Sequence, residues 1–429
     1  MASKQKFTAV KGMEDLFQPE QVHLWRTVEG KAREIFGRAG FQEIRTPVTE
    51  DAGLFERSVG EATEIVEKEM YILKDRNEKR LALRPEGTAS VVRAFIEHFT
   101  DHQVNEGRFF YMGPMFRYER PQKGRLRQFH QIGAEIFGAD HPFVDAEMIG
   151  LVDQLFHELH LDKLKLQINS LGTRECRAKY IEALRSFLEK IGGGLDKEVQ
   201  ERVKRNPLRV LDSKDEKVVA LLQSAPKILD FLSPESKSHF EKVQEGLAQM
   251  HIPFEINPKM VRGLDYYEKT VFEFISGELG AQNAVAGGGR YNDLVADLGG
   301  PPVPAVGFAL GMERLISLLP QEKLAAESLP RIYCIALDEV SAGDLFSQLK
   351  DLREAGLLVQ MDLGVGSLKN KMRRASNWQA DTVVISGEDE RKKGVVVLRN
   401  MKDSTQEEVP AEELFTSLLS KMDTRHFLK

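Results

Sequence analysis

The stretch Phe116–Gly138, FRYERPQKGRLRQFHQIGAEIFG, decides how the chain is read. It gives two strands joined by a basic loop. With a period of two, Met115, Arg117 and Glu119 share one face of the first strand, and Phe116 and Tyr118 take the other. On the second strand Phe129, Gln131, Gly133 and Glu135 share a face, while Ile132, Ala134 and Ile136 form an apolar back. The front therefore carries a guanidinium, two carboxylates and an amide. Such groups are costly to bury unless paired, which favours a polar ligand cavity over an apolar-backed sheet. In the loop, Arg120, Lys123, Arg125 and Arg127 occur with no acid between them, and Gly124 allows a turn, an arrangement suited to phosphates. Taken alone, the hairpin is equally an amphipathic ribbon with a solvated cationic turn, so the neighbouring blocks must decide.

A chain of 429 residues has room for two or three domains. Hydrophobic content of 41% and charged content of 29% are ordinary for a globular protein. No apolar run approaches the roughly 18 residues of a membrane span, and MASKQKFTAVKGMEDLF lacks a signal-peptide core. The expectation is a cytoplasmic protein with no membrane partner. Cys176 and Cys334 stand far apart, so neither a disulfide framework nor a zinc cluster is on offer, and both read as small buried hydrophobes. A net charge of −6 argues against indiscriminate nucleic-acid binding and leaves room for local basic patches that select one structured RNA.

Residues 20–39 read as a helix, with Val22, Trp25, Val28, Ala32, Ile35 and Phe36 at helical spacing and Gly40 ending it. FQEIRTPVTE is extended, and Pro47 assigns it to an edge or an interface where a second subunit can pair. YILKD and RLALR alternate as a hairpin around Arg76–Lys79. Thr88 begins a helix whose apolar side holds Ala89, Val92, Phe95 and Ile96. Thr88 is either its N-cap or, with Glu86, a partner for an amino group on the tight Pro-Glu-Gly turn. After a helix over 145–160 and the strand KLKLQIN, residues 172–250 read as helical throughout, an inserted subdomain broken at 192–194 and 206–213. Tyr180, Ile181, Leu184, Phe187, Leu188 and Ile191 supply its core stripe.

Arg262 and Gly263 precede Tyr266, Tyr267 and the alternating strand TVFEFIS. AVAGGGRYNDLV sets three glycines and Arg290 before a short helix, either as a close backbone approach to a ligand or as a tight connection. PAVGFALGMERLISLL reads strand, turn, helix, with Arg314 in the helix. From Pro330 onward, strands and helices alternate as a separate parallel-sheet α/β domain. GVGSLKNKMRRAS lacks the third glycine of a dinucleotide fingerprint. Its helix bears Lys369, Lys371, Arg373 and Arg374, as either a solvated face or an RNA-backbone contact.

In this order the blocks resemble the class II aminoacyl-tRNA synthetases, and among them the histidyl-tRNA synthetase family, over nearly the whole chain. FQEIRTPVTE is similar to class II motif 1, FRYE through QFHQIGAEIFG to motif 2, and AVGFALGMERL to motif 3, while LRPEGTA and RGLDYY point to histidine. The resemblance implies a catalytic domain over 1–328 built on an antiparallel sheet flanked by helices, with a helical insertion at about 172–250. It also implies an anticodon-binding α/β domain over 329–429 and a homodimer through the motif 1 region. The implied reaction joins L-histidine to ATP as an adenylate and then to histidine tRNA.

By motif position, Arg117 and Arg262 match the arginines that meet the α-phosphate. Phe129 and Arg314 match the two faces of an adenine site, Glu119 its edge, and Arg125 the holder of the terminal phosphates with Mg²⁺, whose protein ligands the sequence does not reveal. Glu86, Thr88 and Gln131 match the groups that take the histidine ammonium, and Glu135, Tyr266, Tyr267 and Tyr291 those for its imidazole. Arg120 and Gln122 fall where the family's loop meets the tRNA acceptor end. Tyr118, where many relatives carry histidine or arginine, and RRASNWQA in the basic helix depart from the usual pattern. Two other readings exist: a synthetase-like regulatory subunit of ATP phosphoribosyltransferase, expected to lose the catalytic arginines and the C-terminal domain, and a sister class II enzyme for another amino acid, opposed by RGLDYY.

Overall fold

The protein was analysed as a computed structural model, which describes residues 7–60, 63–99, 106–122, 124–191, 207–211, 215–279, 283–320 and 330–420. Lys123, the glycines at 192–194, the ends of the 206–213 break and the expected domain boundary at 328/329 lie outside the described residues. The chain divides into two compact units, Met1–Leu324 and Ala325–Lys429.

In the first unit the strands are β1 (Gln42–Glu43), β2 (Thr49–Asp51), β3 (Tyr71–Lys74), β4 (Arg80–Leu83), β5 (Gly107–Phe116), β6 (Gln128–Phe137), β7 (Lys165–Ser170), β8 (Phe254–Ile256), β9 (Glu268–Ile275), β10 (Ala284–Arg290) and β11 (Ala305–Gly311). Eight of them form one sheet in the order β1-β5-β6-β11-β10-β9-β7-β8, and β2-β4-β3 form a second. The six central strands of the large sheet pair antiparallel, and only the edge pairs β1·β5 and β7·β8 are parallel.

The alternation on β6 is as the sequence dictates. Ile132, Ala134 and Ile136 join Phe110, Phe272, Phe274, Phe308 and Leu310 in one core, closed by the helices Pro19–Arg38 and Pro142–Glu158. The opposite face packs Phe109, Tyr111, Met115, Phe137 and Val271 against Val91, Val92 and Phe95 of the helix Thr88–His98. This second layer covers only part of the sheet, and the uncovered part floors the cavity described below.

Several expectations need correction. The first strand of the hairpin precedes the quoted stretch: β5 ends at Phe116, so Arg117 and Glu119 stand in the loop rather than on a strand face. Ladder pairing gives way there because the chain must reverse through Pro121, which lacks an N–H, and through Gly124, at φ +76°. The segment FQEIRTPVTE splits at Pro47 between two sheets, with β1 at the edge of the large one.

Residues 172–250 are not helical throughout. Arg174–Ile191 is a helix, but one-turn pieces at Pro207–Val210, Leu222–Ser224 and Ile228–Phe231 follow it. Tyr180, Leu184 and Leu188 form a local core with Val210, Val218 and Ile228. The last helix, Pro234–Gln249, instead sends Phe240, Val243 and Leu247 into the main core, so it belongs to the sheet. AVAGGGR is itself a strand, β10, and the short helix follows at Leu294–Asp297.

In the second unit β12 (Arg331–Ala336), β13 (Leu358–Asp362), β14 (Thr382–Ser386), β15 (Val395–Asn400) and β16 (Gln406–Pro410) pair in the order β13-β12-β14-β15-β16. The sheet is mixed rather than parallel, since β14·β15 and β15·β16 are antiparallel. QEEVP of β16 carries no apolar alternation because it is a solvated edge. On the basic helix Leu368–Asn377, Arg374 pairs with Asp362 at 2.8 and 2.9 Å and Lys371 reaches the Ala336 carbonyl at 2.9 Å, so two of its four cations are engaged within the unit.

One buried ion pair holds three elements together. Arg290, fully buried at the end of β10, donates through Nε to Asp145 at 2.9 Å and through Nη1 to the Ala139 carbonyl at 3.0 Å. His239 of the helix Pro234–Gln249 meets the same carboxylate through Nε2 at 2.8 Å. Burial opposes the charge of Asp145, yet Arg290 and His239 hold its pKa below the usual carboxylate value. Asp145→Ala removes the buried counter-charge of Arg290, leaving only the exposed Asp140 carboxylate at 3.2 Å, and is expected to lower unfolding stability by about 3 kcal/mol. Denaturant titration measures this, and a loss under about 1 kcal/mol, the range of an exposed pair, would contradict the role.

Candidate active site

Where β6, β9, β10 and β11 lie open, a cavity of about 530 Å³ forms, walled by the loop after β5, the turn before the helix Thr88–His98 and the segment before β9. Its lining includes Glu86, Thr88, Arg117, Glu119, Arg125, Phe129, Gln131, Arg262, Tyr266, Tyr267 and Arg314, residues up to 228 positions apart in sequence. Glu135 and Tyr291 do not line it; they are buried behind Thr88. Arg120 and Gln122 are exposed on the loop outside it, where the Gln122 and Arg125 backbones bond each other at 2.8 and 3.1 Å.

Each arginine is held by an acceptor. Arg117 Nε donates to the Pro85 carbonyl at 2.9 Å, and its guanidinium lies over the Phe129 ring at 5.2 Å. Arg314 donates to the carbonyls of Gly124 at 3.1 Å and Ala284 at 3.0 Å. Phe129 and Arg314 both line the cavity, and the cation over the Phe129 ring is Arg117. Arg125 pairs with Glu119 at 2.9 Å. Arg262 pairs closely with Glu273 of β9 and lies over the Tyr267 ring at 5.5 Å.

Burial works against the charge of Arg262, but Glu273 and the two tyrosines more than offset it, and its pKa is raised. Arg314 moves the other way, lowered by burial and by the neighbouring cations Arg125 and Arg117. The glycine run of β10 has a physical cause here. A methyl group at Gly287 would lie 2.6 Å from the Arg262 guanidinium, and one at Gly288 would overlap the Gly307 carbonyl.

At the other end, the Pro-Glu-Gly turn corrects the reading of Thr88 as the helix N-cap. Glu86, not Thr88, caps the helix: its two carboxylate oxygens accept from the N–H groups of Thr88 at 2.7 Å and Ala89 at 2.8 Å. Thr88 is thereby freed to donate to Glu135 at 2.8 Å, and the Tyr291 hydroxyl donates to the second oxygen of the same carboxyl. Burial pushes the Glu135 pKa up to about 8, against the opposing pull of those two hydroxyls.

Sequence reasoning missed four residues. Glu273 holds Arg262, and its signal was an acid in the apolar alternation TVFEFIS. Glu313 accepts from the His130 N–H at 2.9 and 3.0 Å and faces its ring nitrogen at 3.0 Å, fixing the start of β6. Arg84 ties the turn to Pro114 at 2.9 Å and Thr46 at 3.0 Å. Tyr111 of β5 has a buried hydroxyl beside Thr88 and Glu135 that reaches full hydrogen-bond geometry with neither.

An antiparallel sheet with arginines aimed into one cavity and a hydroxyl-caged carboxyl at its end defines the catalytic unit of a class II aminoacyl-tRNA synthetase. The family model described as histidyl-tRNA synthetase matches residues 12–315, and that of the anticodon binding domain matches 345–421. The chain belongs to the histidyl-tRNA synthetase family. It is 46% identical over 419 residues to a histidine–tRNA ligase of Thermodesulfovibrio yellowstonii, covering 98% of this chain and 100% of that one. It is 46% identical over 406 residues to one of a Cyanothece species, covering 95% and 94%. The solved apo histidyl-tRNA synthetase of S. aureus superposes with a TM-score of 0.77 at 33% identity, covering 96% of this chain and 99% of that one.

Between pH about 5 and about 8 the folded state keeps a proton on Glu135 that the unfolded chain has released. Stability therefore falls as pH rises through that window, with a limiting slope of about 1.4 kcal/mol per pH unit. Glu135→Gln, which has no such proton to lose, should flatten the curve of unfolding free energy between pH 5.5 and 7.5. Identical slopes in parent and variant would contradict the protonated carboxyl.

Proposed function

We infer that the chain charges histidine tRNA with L-histidine through a histidyl-adenylate. The observation that carries this is the convergence of Arg117 and Arg262 on one cavity that also exposes Glu86, Thr88, Gln131, Tyr266 and Tyr267. In the first step the histidine carboxylate attacks the α-phosphorus of ATP and pyrophosphate leaves. In the second, the 3′-hydroxyl of the terminal tRNA adenosine takes the histidyl group. Negative charge grows on the α-phosphate oxygens in the first step, and fixed cations aimed there lower the barrier without having to reorganise. Arg117, anchored on Pro85, and Arg262, kept charged by Glu273, are the two we assign to that phosphate.

Phe129 supplies one apolar face for adenine and Arg314 the other, with Glu119 at its edge and Arg125 toward the terminal phosphates. This assignment requires Arg117 to leave the Phe129 ring when the nucleotide enters. Gln131 and Thr88 meet the histidine ammonium with Glu86. Tyr266, Tyr267 and Glu135 meet the imidazole, Glu135 once Thr88 gives way to the ligand, and Tyr291 holds the Glu135 carboxyl. A site built to pair both ring nitrogens rejects apolar side chains of like shape, because they would leave buried polar groups unpaired.

The cavity's four carboxylates, Glu86, Glu119, Glu273 and Glu313, are each taken by an N–H, a guanidinium or an imidazole. Among the described residues no group of three or more His, Cys, Asp or Glu is placed to hold a metal. These residues do not make a protein-held Mg²⁺ site, and we assign Mg²⁺ to the ATP phosphates as part of the substrate.

We place Arg120 and Gln122 at the tRNA acceptor end, the second unit on the anticodon, a homodimer along the segment 41–50, and the protein in the cytoplasm. Among the described residues no helix is long and apolar enough to cross a membrane. A purely regulatory role has no support from a cavity that keeps Arg117, Arg262 and Arg314 together. Arg262→Ala is expected to slow histidyl-adenylate formation by about 100-fold or more, the scale of removing a preorganised charge-stabilising donor, while histidine still binds. Single-turnover adenylation checks it, and a near-parental rate would remove Arg262 from the chemistry.

A further inference from the structure

At the amino-acid end of the cavity one buried group has no part in the chemistry above. Tyr111 lies on the face of β5 that packs beneath the helix Thr88–His98, and its ring is wedged between Gly87 and Gly133. Gly87 has φ −98°, a conformation any residue adopts, so backbone freedom does not explain a glycine there. Tyr111 does: a methyl group at either glycine would overlap its ring. Across the next strand, a methyl group at Gly307 would overlap the Glu135 carboxylate. Three glycines thus clear a slot for one phenol and one carboxyl.

The Tyr111 hydroxyl lies beside both Thr88 and Glu135 yet makes no well-formed hydrogen bond to either. The oxygens of Glu135 already accept one hydroxyl each, from Thr88 and from Tyr291. A carboxylate offers about four acceptor positions, so a third donor can be accommodated. A hydroxyl set beside Glu135 short of full hydrogen-bond geometry, in a slot cleared for it, is placed to close on that carboxyl once it ionises.

We propose that Tyr111 is a positioning residue of the amino-acid pocket, its hydroxyl becoming the third donor to Glu135 when an imidazole-bearing ligand engages that carboxyl. The proposal rests on the reading that Glu135 serves the imidazole end of the pocket. Tyr111 acts through Glu135 and touches no substrate atom. Its worth is that of one hydrogen bond to a charged group, felt in amino-acid affinity and not at the phosphates.

Tyr111→Phe keeps the ring between its glycines and deletes only the hydroxyl. Histidine-dependent ATP–pyrophosphate exchange, with equilibrium dialysis of labelled histidine, is measured for the parent, Tyr111→Phe, Glu135→Gln and the double variant. Tyr111→Phe should raise the KM and Kd for histidine about tenfold while kcat and the KM for ATP stay within about twofold. In the Glu135→Gln background the same substitution should change histidine affinity by less than about twofold. Unchanged histidine affinity in Tyr111→Phe, an equal rise in the KM for ATP, or a tenfold effect that persists without the Glu135 carboxyl would each overturn the role. Exchange by the parent alongside one of those results discards Tyr111 alone, whereas no histidine-dependent exchange by the parent discards the pocket reading beneath it.

Discussion

Four guanidiniums, those of Arg117, Arg125, Arg262 and Arg314, line one cavity in the first unit, and much of its local construction follows from holding them there. Arg117, Arg262 and Arg314 repel one another and lose water on burial, so each needs an acceptor that fixes it without neutralising the space between them. Arg117 and Arg314 are held by backbone carbonyls, which orient a guanidinium and leave its charge intact. Arg262 is paired with the Glu273 carboxylate and Arg125 with that of Glu119. Gly287 of β10 stands where the Arg262 guanidinium passes over the strand. The outcome is a set of cations already in place before an anionic reactant arrives, the condition under which electrostatic stabilisation is most effective.

The far end of the cavity answers the opposite problem, that of keeping a carboxyl where water does not reach. Glu135 is surrounded by hydroxyls rather than cations, and its proton is retained to about pH 8. Glu86 spends both oxygens on the helix start, which lets Thr88 turn inward instead of capping. A shift of one hydrogen bond at that turn would change what the pocket can recognise. The link back to the scaffold is Arg290, adjacent to Tyr291 and locked to Asp145, whose carboxylate also meets His239 of the helix Pro234–Gln249.

Much of this was legible from residues alone. The alternation of β6 placed Gln131 and Glu135 on one face correctly, and the order of the motif blocks brought out eleven residues that now line a single cavity. What the sequence hid were partners set by the fold. Glu273 is an ordinary outward acid until β9 is laid beside Arg262, and nothing near Arg290 in sequence points to Asp145, 145 positions away, whose carboxylate it shares with His239. Tyr111 gave only an aromatic in an apolar strand, with nothing local to say that two distant glycines make room for it. Strand ends failed for a local reason, since Arg117 continues the alternation of β5 while its backbone already turns. In the second unit β16 was missed because a solvated edge strand carries no hydrophobic period.

Amino-acid-dependent ATP–pyrophosphate exchange, run on the purified chain with each of the twenty amino acids in turn, tests the central claim most directly, because it reads activation and side-chain choice in one assay. Exchange with histidine and with no other amino acid is the expected result. Exchange supported by a different amino acid, or none from a folded chain that still binds ATP, would contradict it.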